Sequence, residues 1–142
     1  MTNTSTLRLE TVASGLRFRA HSGKGFELVL DSGEGRIAAD PMESLLAAIG
    51  ACTAMDVISI MRKKRQQVTA YEVSLTGERR TEHPRSYTRI ETVHRMTGTG
   101  LSLAALEESV RLSETRYCSV HASLDPAIEK VTRCEVIEAV AV

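Results

Sequence analysis

The chain has 142 residues, of which 42% are hydrophobic and 25% charged, and these values favour one globular domain over residues 1–142. Aromatic residues make up only 4%, Trp is absent and the net charge is zero, which argues against a nucleic-acid partner. The N-terminus lacks a signal-peptide pattern and no apolar run approaches the length that spans a bilayer, so we expect a cytoplasmic location and no membrane partner.

Three short strands are predicted before residue 31, because apolar and polar residues alternate over 7–12, 16–20 and 26–30. Turn residues separate them, at Ser14-Gly15 and at residues 22–25. Residues 31–39 carry Gly and charged residues and are predicted to form a loop.

A long helix follows, with Asp40 as its cap, Pro41 in its first turn and Glu43 three residues after the cap. The helix is apolar on more than one side, which predicts that it is buried. It ends in the basic run 62–65, where cations favour the negative end of the helix dipole.

The remaining elements are two strands, two helices and a final strand. Alternation predicts strands over 68–80 and 86–97, and Ser102 begins a helix that runs to about Tyr117. We expect Ser119 to cap a further short helix, and a β-branched strand over 131–141. The order predicts an α+β fold, with antiparallel sheet and a central buried helix.

The three cysteines lie at positions 52, 118 and 134, with no Cys-x-x-Cys or Cys/His cluster of the kind that binds zinc. No phosphate-binding glycine loop is present either. We therefore predict no metal and no cofactor. Cys134 lies in the final strand, and we expect it to be structural.

Cys52 lies in the middle of the long helix, where a free cysteine is commonly a small core residue. Asp56 follows one turn later on the same face. A carboxylate on such an apolar helix is costly to bury without a partner, so Asp56 either forms a structural salt bridge or borders a polar cavity near Cys52.

Cys118 lies at a predicted helix junction, where backbone N–H groups and Arg116 would favour a thiolate. The alternative is again a buried core residue. Two cysteines at such places are consistent with peroxide chemistry, in which one thiolate becomes sulfenic acid and a second thiol resolves it. The sequence alone does not bring them together.

The motif from Asp40 to Cys52 resembles the helix motif of the OsmC/Ohr-like family, and the segment 117–120 is similar to the family's second cysteine segment. The order of elements agrees with that family along nearly the whole chain. Residues 56–61 and 78–80 resemble a less characterised branch of it.

The resemblance implies an intertwined homodimer that reduces organic hydroperoxides, with Cys52 as the peroxidatic nucleophile and Cys118 as the resolving thiol. It also implies an N-terminal arginine that holds the thiolate, for which Arg17 and Arg19 are the candidates. A glutamate that orients this arginine is expected where Met42 stands, and Glu43 is its nearest substitute.

We therefore predict a thiol-dependent peroxidase whose pocket is lined by aliphatic residues of the central helices and whose disulfide is reopened by an external thiol or dithiol. The alternative is a dimeric ligand-binding or redox-sensing module of the same fold, whose cysteines are unreactive or only regulatory. Rapid, stoichiometric oxidation of Cys52 and Cys118 by an alkyl peroxide separates the two hypotheses.

Overall fold

The computed structural model describes residues 1–10 and 15–140, which form two compact units. The first unit is Met1–Leu45 and the second begins at Leu46. Parts of three predictions lie outside the described residues: the end of the first strand, the Ser14 turn and the last residue of the final strand. The prediction of a single domain over 1–142 remains a prediction.

The first unit contains a three-stranded antiparallel sheet of β1 (Ser5–Leu9), β2 (Phe18–Ser22) and β3 (Glu27–Leu30). All three predicted strands are present, and β1 begins two residues earlier than predicted. Two rows of paired residues make one face of the sheet apolar, because side chains alternate along each strand. These rows are Leu7–Ala20–Leu28 and Leu9–Phe18–Leu30.

The predicted long helix is α1, which spans Pro41–Lys63. Its cap is confirmed, since the backbone N–H of Glu43 donates to Asp40 Oδ1 at 2.8 Å. Arg62 and Lys63 occupy the last turn, where their charges stabilise the helix dipole.

The buried face of α1 is narrower than the sequence predicts. Ile49, Thr53, Val57 and Met61 form a buried strip in which every fourth residue faces the core. The strip of Ala47, Ala51 and Met55 is exposed, and Met55 retains 68% of its accessible surface. A single chain therefore buries one face of this helix and leaves an apolar face uncovered.

By length and composition α1 is apolar enough to cross a bilayer, so the expectation that no such stretch exists is wrong. Core helices of folded proteins pass the same test, and a single candidate is weak evidence for a membrane. Val57 and Met61 belong to the hydrophobic core of the second unit, which makes α1 a packed helix of that unit.

The second unit holds a sheet ordered β4 (Gln67–Arg79), β5 (Tyr87–Thr99), β6 (Glu129–Glu138). The strands β4 and β5 form the predicted antiparallel hairpin. The pairing of β5 with β6 is parallel, which the prediction of antiparallel sheet did not include. Parallel neighbours require a crossover connection, and the helices between β5 and β6 provide it.

The crossover consists of α2 (Leu103–Leu112), a π-helical turn (Ser113–Tyr117) and α3 (Ser119–Ala122). Ser102 caps α2 as predicted, because its side chain accepts the N–H of Ala105 at 3.1 Å. The predicted cap of α3 is wrong by one residue. Cys118 holds that position and its sulfur accepts the N–H of His121.

The core of the second unit joins α1, β5 and α2. Met61, Met96 and Leu106 are fully buried there, together with Val57 and Val110. The α+β class is confirmed, and this packing places the inner side of α1 against the elements that carry Cys118.

Candidate functional site

The structure brings Cys52 and Cys118 together, although 65 residues separate them in the chain. Cys52 is half-buried on α1, and Cys118 is 3% exposed at the end of the π-helical turn. Both thiols are free, and Cys52 lies close enough to the Cys118 thiol to raise its pKa. The two sulfurs therefore share one site, which the sequence did not establish.

Two further donors reach the sulfur of Cys118. The backbone N–H of His121 donates to Sγ at 3.3 Å and the Thr53 hydroxyl at 3.7 Å. Burial raises the pKa of the Cys118 thiol, the His121 and Thr53 bonds oppose that rise, and the nearby Cys52 adds to it. A raised pKa favours the protonated form of a thiol, so Cys118 keeps its proton near pH 7.

The backbone explains why Cys118 lies where these donors converge. The π-helical turn ends at Tyr117, and the Cys118 N–H donates to the carbonyl of Ser113 at 2.8 Å. The chain then becomes extended at Cys118 and enters α3, whose first turn presents a free N–H to the sulfur. Arg116 instead lies over the ring of Tyr117, at 5.7 Å from its centroid.

Asp56 lies one turn beyond Cys52, and its partner is a hydroxyl group. The Ser113 Oγ donates to Asp56 Oδ2 at 2.8 Å, and Ser113 is fully buried. Within the part of the chain that the structure describes, no cation bonds to Asp56. The partner of Asp56 is thus a buried hydroxyl, which neither the predicted salt bridge nor the predicted polar cavity specified.

Arg17 and Arg19, the candidate arginines of the first unit, have different partners. Arg17 Nε donates to Asp31 Oδ2 at 3.0 Å, and Asp31 is 4% exposed. Arg19 bonds to Glu10 through Nε and to Glu27 through Nη1. The structure thus separates two residues that strand alternation alone left equivalent.

Glu43 pairs with neither of these arginines. Its carboxylate lies 2.6 Å from Nη1 of Arg36, which also contacts Asp40 at 3.3 Å. Glu43 therefore belongs to an exposed ion-pair cluster at the start of α1. Sequence analysis did not identify Arg36 or Asp31, because each lies in a loop whose partners only the fold defines.

Sequence analysis also missed a buried histidine in β5. His94 has no exposed surface and its Nδ1 lies 2.6 Å from the Tyr71 hydroxyl, while its Nε2 has no hydrogen-bond partner in the structure. Burial, with a smaller contribution from the charge of His121, lowers the pKa of His94 to about 4. Its side chain is therefore neutral near pH 7.

We expect His94 to make the protein acid-labile. Its pKa in the folded state is about 4, below the unfolded value of about 6.5, so the stability that it contributes is complete above pH 6.5. That stability falls as pH drops from 6.5 to 4, by up to about 3 kcal/mol. Urea unfolding at several pH values checks this.

The test compares His94→Asn, which no longer titrates in this range, with His83→Asn at an exposed loop position. The wild type and His83→Asn should share one pH profile, and His94→Asn should have a flatter one. Equal slopes for all three proteins would contradict the assignment to His94.

Cys134 is half-buried beside this histidine and packs against the core, as predicted for a structural residue. Burial raises the pKa of its thiol to about 11, with smaller contributions from Glu107 and Glu114. A thiol with this pKa is protonated near pH 7 and is a weak nucleophile.

Each unit contains a cavity. In the first unit an apolar cavity of about 290 Å³ is lined mainly by apolar residues of the sheet and its loops, together with Asp31, Ser32 and Pro41. In the second unit a more polar groove of about 530 Å³ runs between α2 and β6 and includes Cys134. Among the described residues no three His, Cys, Asp or Glu side chains cluster as metal ligands.

Comparison with known proteins identifies the family. The model of the OsmC-like protein family matches residues 33–132. The chain is 42% identical over 125 residues to protein YhfA of Escherichia coli K12, covering 88% of this chain and 93% of YhfA.

Solved structures share the fold. A hypothetical protein from Aquifex aeolicus is 32% identical, with 98% of each chain covered and a TM-score of 0.86. An organic hydroperoxide resistance protein OsmC from Legionella pneumophila is 15% identical and has a TM-score of 0.66. The match covers 96% of this chain and 98% of the Legionella chain. On the family match and the YhfA identity together, the chain belongs to the OsmC-like protein family.

Proposed function

We propose that the protein reduces organic hydroperoxides with Cys52 as the peroxidatic thiol and Cys118 as the resolving thiol. The observation that carries the proposal is the closeness of the two cysteines. Thr53, the residue after Cys52, donates to the Cys118 sulfur at 3.7 Å, and Cys52 itself raises the pKa of the Cys118 thiol. A two-cysteine mechanism requires both sulfurs within reach of a disulfide. Membership of a family with hydroperoxide resistance proteins adds support.

The surroundings of the two sulfurs favour Cys52 as the peroxidatic thiol and Cys118 as the resolving thiol, rather than the opposite assignment. Cys118 is the more buried of the two, and both burial and the nearby Cys52 raise its pKa. A Cys118 thiol that keeps its proton is a weak nucleophile until the Cys52 sulfenic acid has formed. The less buried sulfur is then the nucleophile that meets the peroxide.

The chemistry proceeds in two steps. The Cys52 thiolate attacks the distal oxygen of the hydroperoxide, the O–O bond breaks, and the leaving alkoxide takes a proton to become an alcohol. The sulfur of Cys118 then attacks the Cys52 sulfenic acid. The S–S bond forms, and the departing hydroxide takes the Cys118 proton as water.

An external thiol or dithiol must reopen the disulfide, because the oxidised pair has no further thiol with which to turn over. Cys134 is a poor source of such a thiolate, since its pKa is about 11. We propose that a cytoplasmic dithiol carrier serves this role, in keeping with the reducing compartment expected for free cysteines.

We propose Arg17 rather than Arg19 as the arginine that the reaction uses. Among the residues that the structure describes, the bond of Arg17 to Asp31 uses Nε, which leaves its terminal amino groups for the reaction. Arg19 already donates to two carboxylates, from Nε to Glu10 and from Nη1 to Glu27. Buried Asp31 then orients the arginine, while Glu43 is engaged by Arg36.

We also propose that two copies of the chain form a homodimer. The uncovered strip of α1 consists of apolar residues, with Met55 as its largest member. Exposed apolar surface on a long helix favours a protein partner, and a second copy of the chain, as the family resemblance implies, would cover it.

A thiol titration with mass spectrometry tests the proposed function. One equivalent of an alkyl hydroperoxide should remove two thiols per chain within seconds and leave a Cys52–Cys118 disulfide in the peptide map. A monothiol loss at Cys134 would be inconsistent with the mechanism. Unchanged thiols would favour the ligand-binding alternative.

A further inference from the structure

A buried hydrogen bond ties the middle of α1 to the turn that carries Cys118. Ser113 opens the π-helical turn, and its hydroxyl donates to Asp56 of α1 at 2.8 Å. Ser113 is fully buried, and Asp56 is half-buried. A charge-assisted bond away from water is stronger than one in solvent, so this contact fixes the start of the turn against α1.

The same serine fixes the end of the turn. Its carbonyl accepts the N–H of Cys118 at 2.8 Å, which closes the π-helical turn over five residues. Ser113 therefore bonds through its side chain to α1 and through its backbone to the cysteine. A displacement of Ser113 carries Cys118 with it.

A second link joins the two elements close to the sulfurs. Thr53, which follows Cys52 directly, donates from its hydroxyl to Cys118 Sγ at 3.7 Å. Asp56 lies three residues further along α1 and on the same side of the helix as Cys52. Two contacts from one helix thus hold both ends of the segment from Ser113 to Cys118.

We propose that Asp56 and Ser113 are positioning residues, which hold the Cys118 sulfur where it can attack oxidised Cys52. Neither is required to touch the peroxide. The proposal rests on the two-cysteine function, and it assigns their effect to disulfide closure rather than to the first oxidation. Loss of the bond should lower the effective concentration of the Cys118 thiol at Cys52.

Thiol exchange with glutathione measures closure without any peroxide. The Cys52 thiolate attacks glutathione disulfide and releases one reduced glutathione. The Cys118 sulfur then attacks the Cys52 sulfur of the mixed disulfide and releases the second. The rate of this intramolecular step and the equilibrium constant of the overall exchange report how well Cys118 is placed.

The variants are Ser113→Ala, Asp56→Ala and Asp56→Asn, with Ser59→Ala on the exposed side of α1 as the matched control. We expect Ser113→Ala and Asp56→Ala to slow closure by at least about fivefold. Asp56→Asn retains an oxygen that accepts the Ser113 hydroxyl, so it should stay within about twofold of wild type. Ser59→Ala should match wild type.

A second readout separates positioning from general damage to the fold. After a pulse of alkyl hydroperoxide, Cys52 sulfenic acid should form at the wild-type rate in every folded variant. Dimedone should trap a larger amount of it in Ser113→Ala, because slower closure leaves the sulfenic acid in place for longer. Wild-type closure in Ser113→Ala and Asp56→Ala would overturn the proposal.

Failure of the proposed function has a different signature. If wild-type Cys52 does not react with the peroxide, glutathione exchange still measures closure and decides the role of Asp56 and Ser113. If the two alanine variants do not fold, closure in Ser113→Thr, which keeps the donor hydroxyl, is compared with closure in Ser113→Val, which has nearly the same shape without it. A loss of about fivefold in Ser113→Val alone supports the proposal, and equal closure in the two variants contradicts it.

Discussion

Replacing Cys52 by Ser is expected to lower hydroperoxide consumption by at least about a thousandfold, because a serine hydroxyl is not ionised near pH 7 and is a far weaker nucleophile than a thiolate. The measurement is the loss of an alkyl hydroperoxide with a dithiol reductant in excess. The structure supports the choice of Cys52, since it is half-buried and lies beside the more buried Cys118 thiol.

Cys134→Ser is the matched control for Cys52→Ser. It changes another half-buried cysteine of the second unit, one that packs against the core and holds its proton. Its peroxide consumption should remain within about twofold of wild type. Equal losses in the two variants, or full activity of Cys52→Ser, would refute the role of Cys52.

Replacing Cys118 by Ser is expected to stop the reaction after the first oxidation. Cys52 sulfenic acid should form at a rate within about threefold of wild type, whereas turnover with a dithiol should fall by at least about tenfold. The reason is that the serine oxygen can accept the His121 N–H that Cys118 accepts, but it cannot form a disulfide.

Two measurements on Cys118→Ser check this expectation. Rapid-quench mass spectrometry should find one added oxygen, or one dimedone adduct, on Cys52 and no disulfide. Steady-state turnover should then separate this variant from wild type. Undiminished turnover would mean that an external thiol attacks the Cys52 sulfenic acid directly, and that Cys118 does not resolve it.

The proposed mechanism moves the proton of the Cys118 thiol. Burial and the nearby Cys52 raise the pKa of Cys118, so the thiol keeps its proton until the second step. That proton leaves with the oxygen of the Cys52 sulfenic acid as water. As it leaves, the hydrogen bonds from His121 and Thr53 stabilise the negative charge that develops on the Cys118 sulfur.

Local patterns determined most of the secondary structure. The Asp40 cap and the Pro41 start of α1 followed from residue types alone, and so did the Ser102 cap of α2. These features depend on bonds between residues a few positions apart, which a sequence displays directly. The hairpin of β4 and β5 is local in the same sense.

Local patterns did not determine how distant segments meet. The parallel pairing of β6 with β5 depends on a crossover of about thirty residues. The choice between Ser119 and Cys118 as the cap of α3 depends on the π-helical turn before it. Burial of only one face of α1 depends on which of its apolar sides the core covers.

By itself the sequence determined the α+β class, the motif that resembles the family and the candidate cysteines, because each is written in short-range patterns of residue types. The tertiary structure alone decided that Cys118 lies beside Cys52, that Ser113 bonds to Asp56 and that Arg17 bonds to Asp31. Each of these contacts joins residues well separated in the chain, and only the packing of helices and strands brings such residues together.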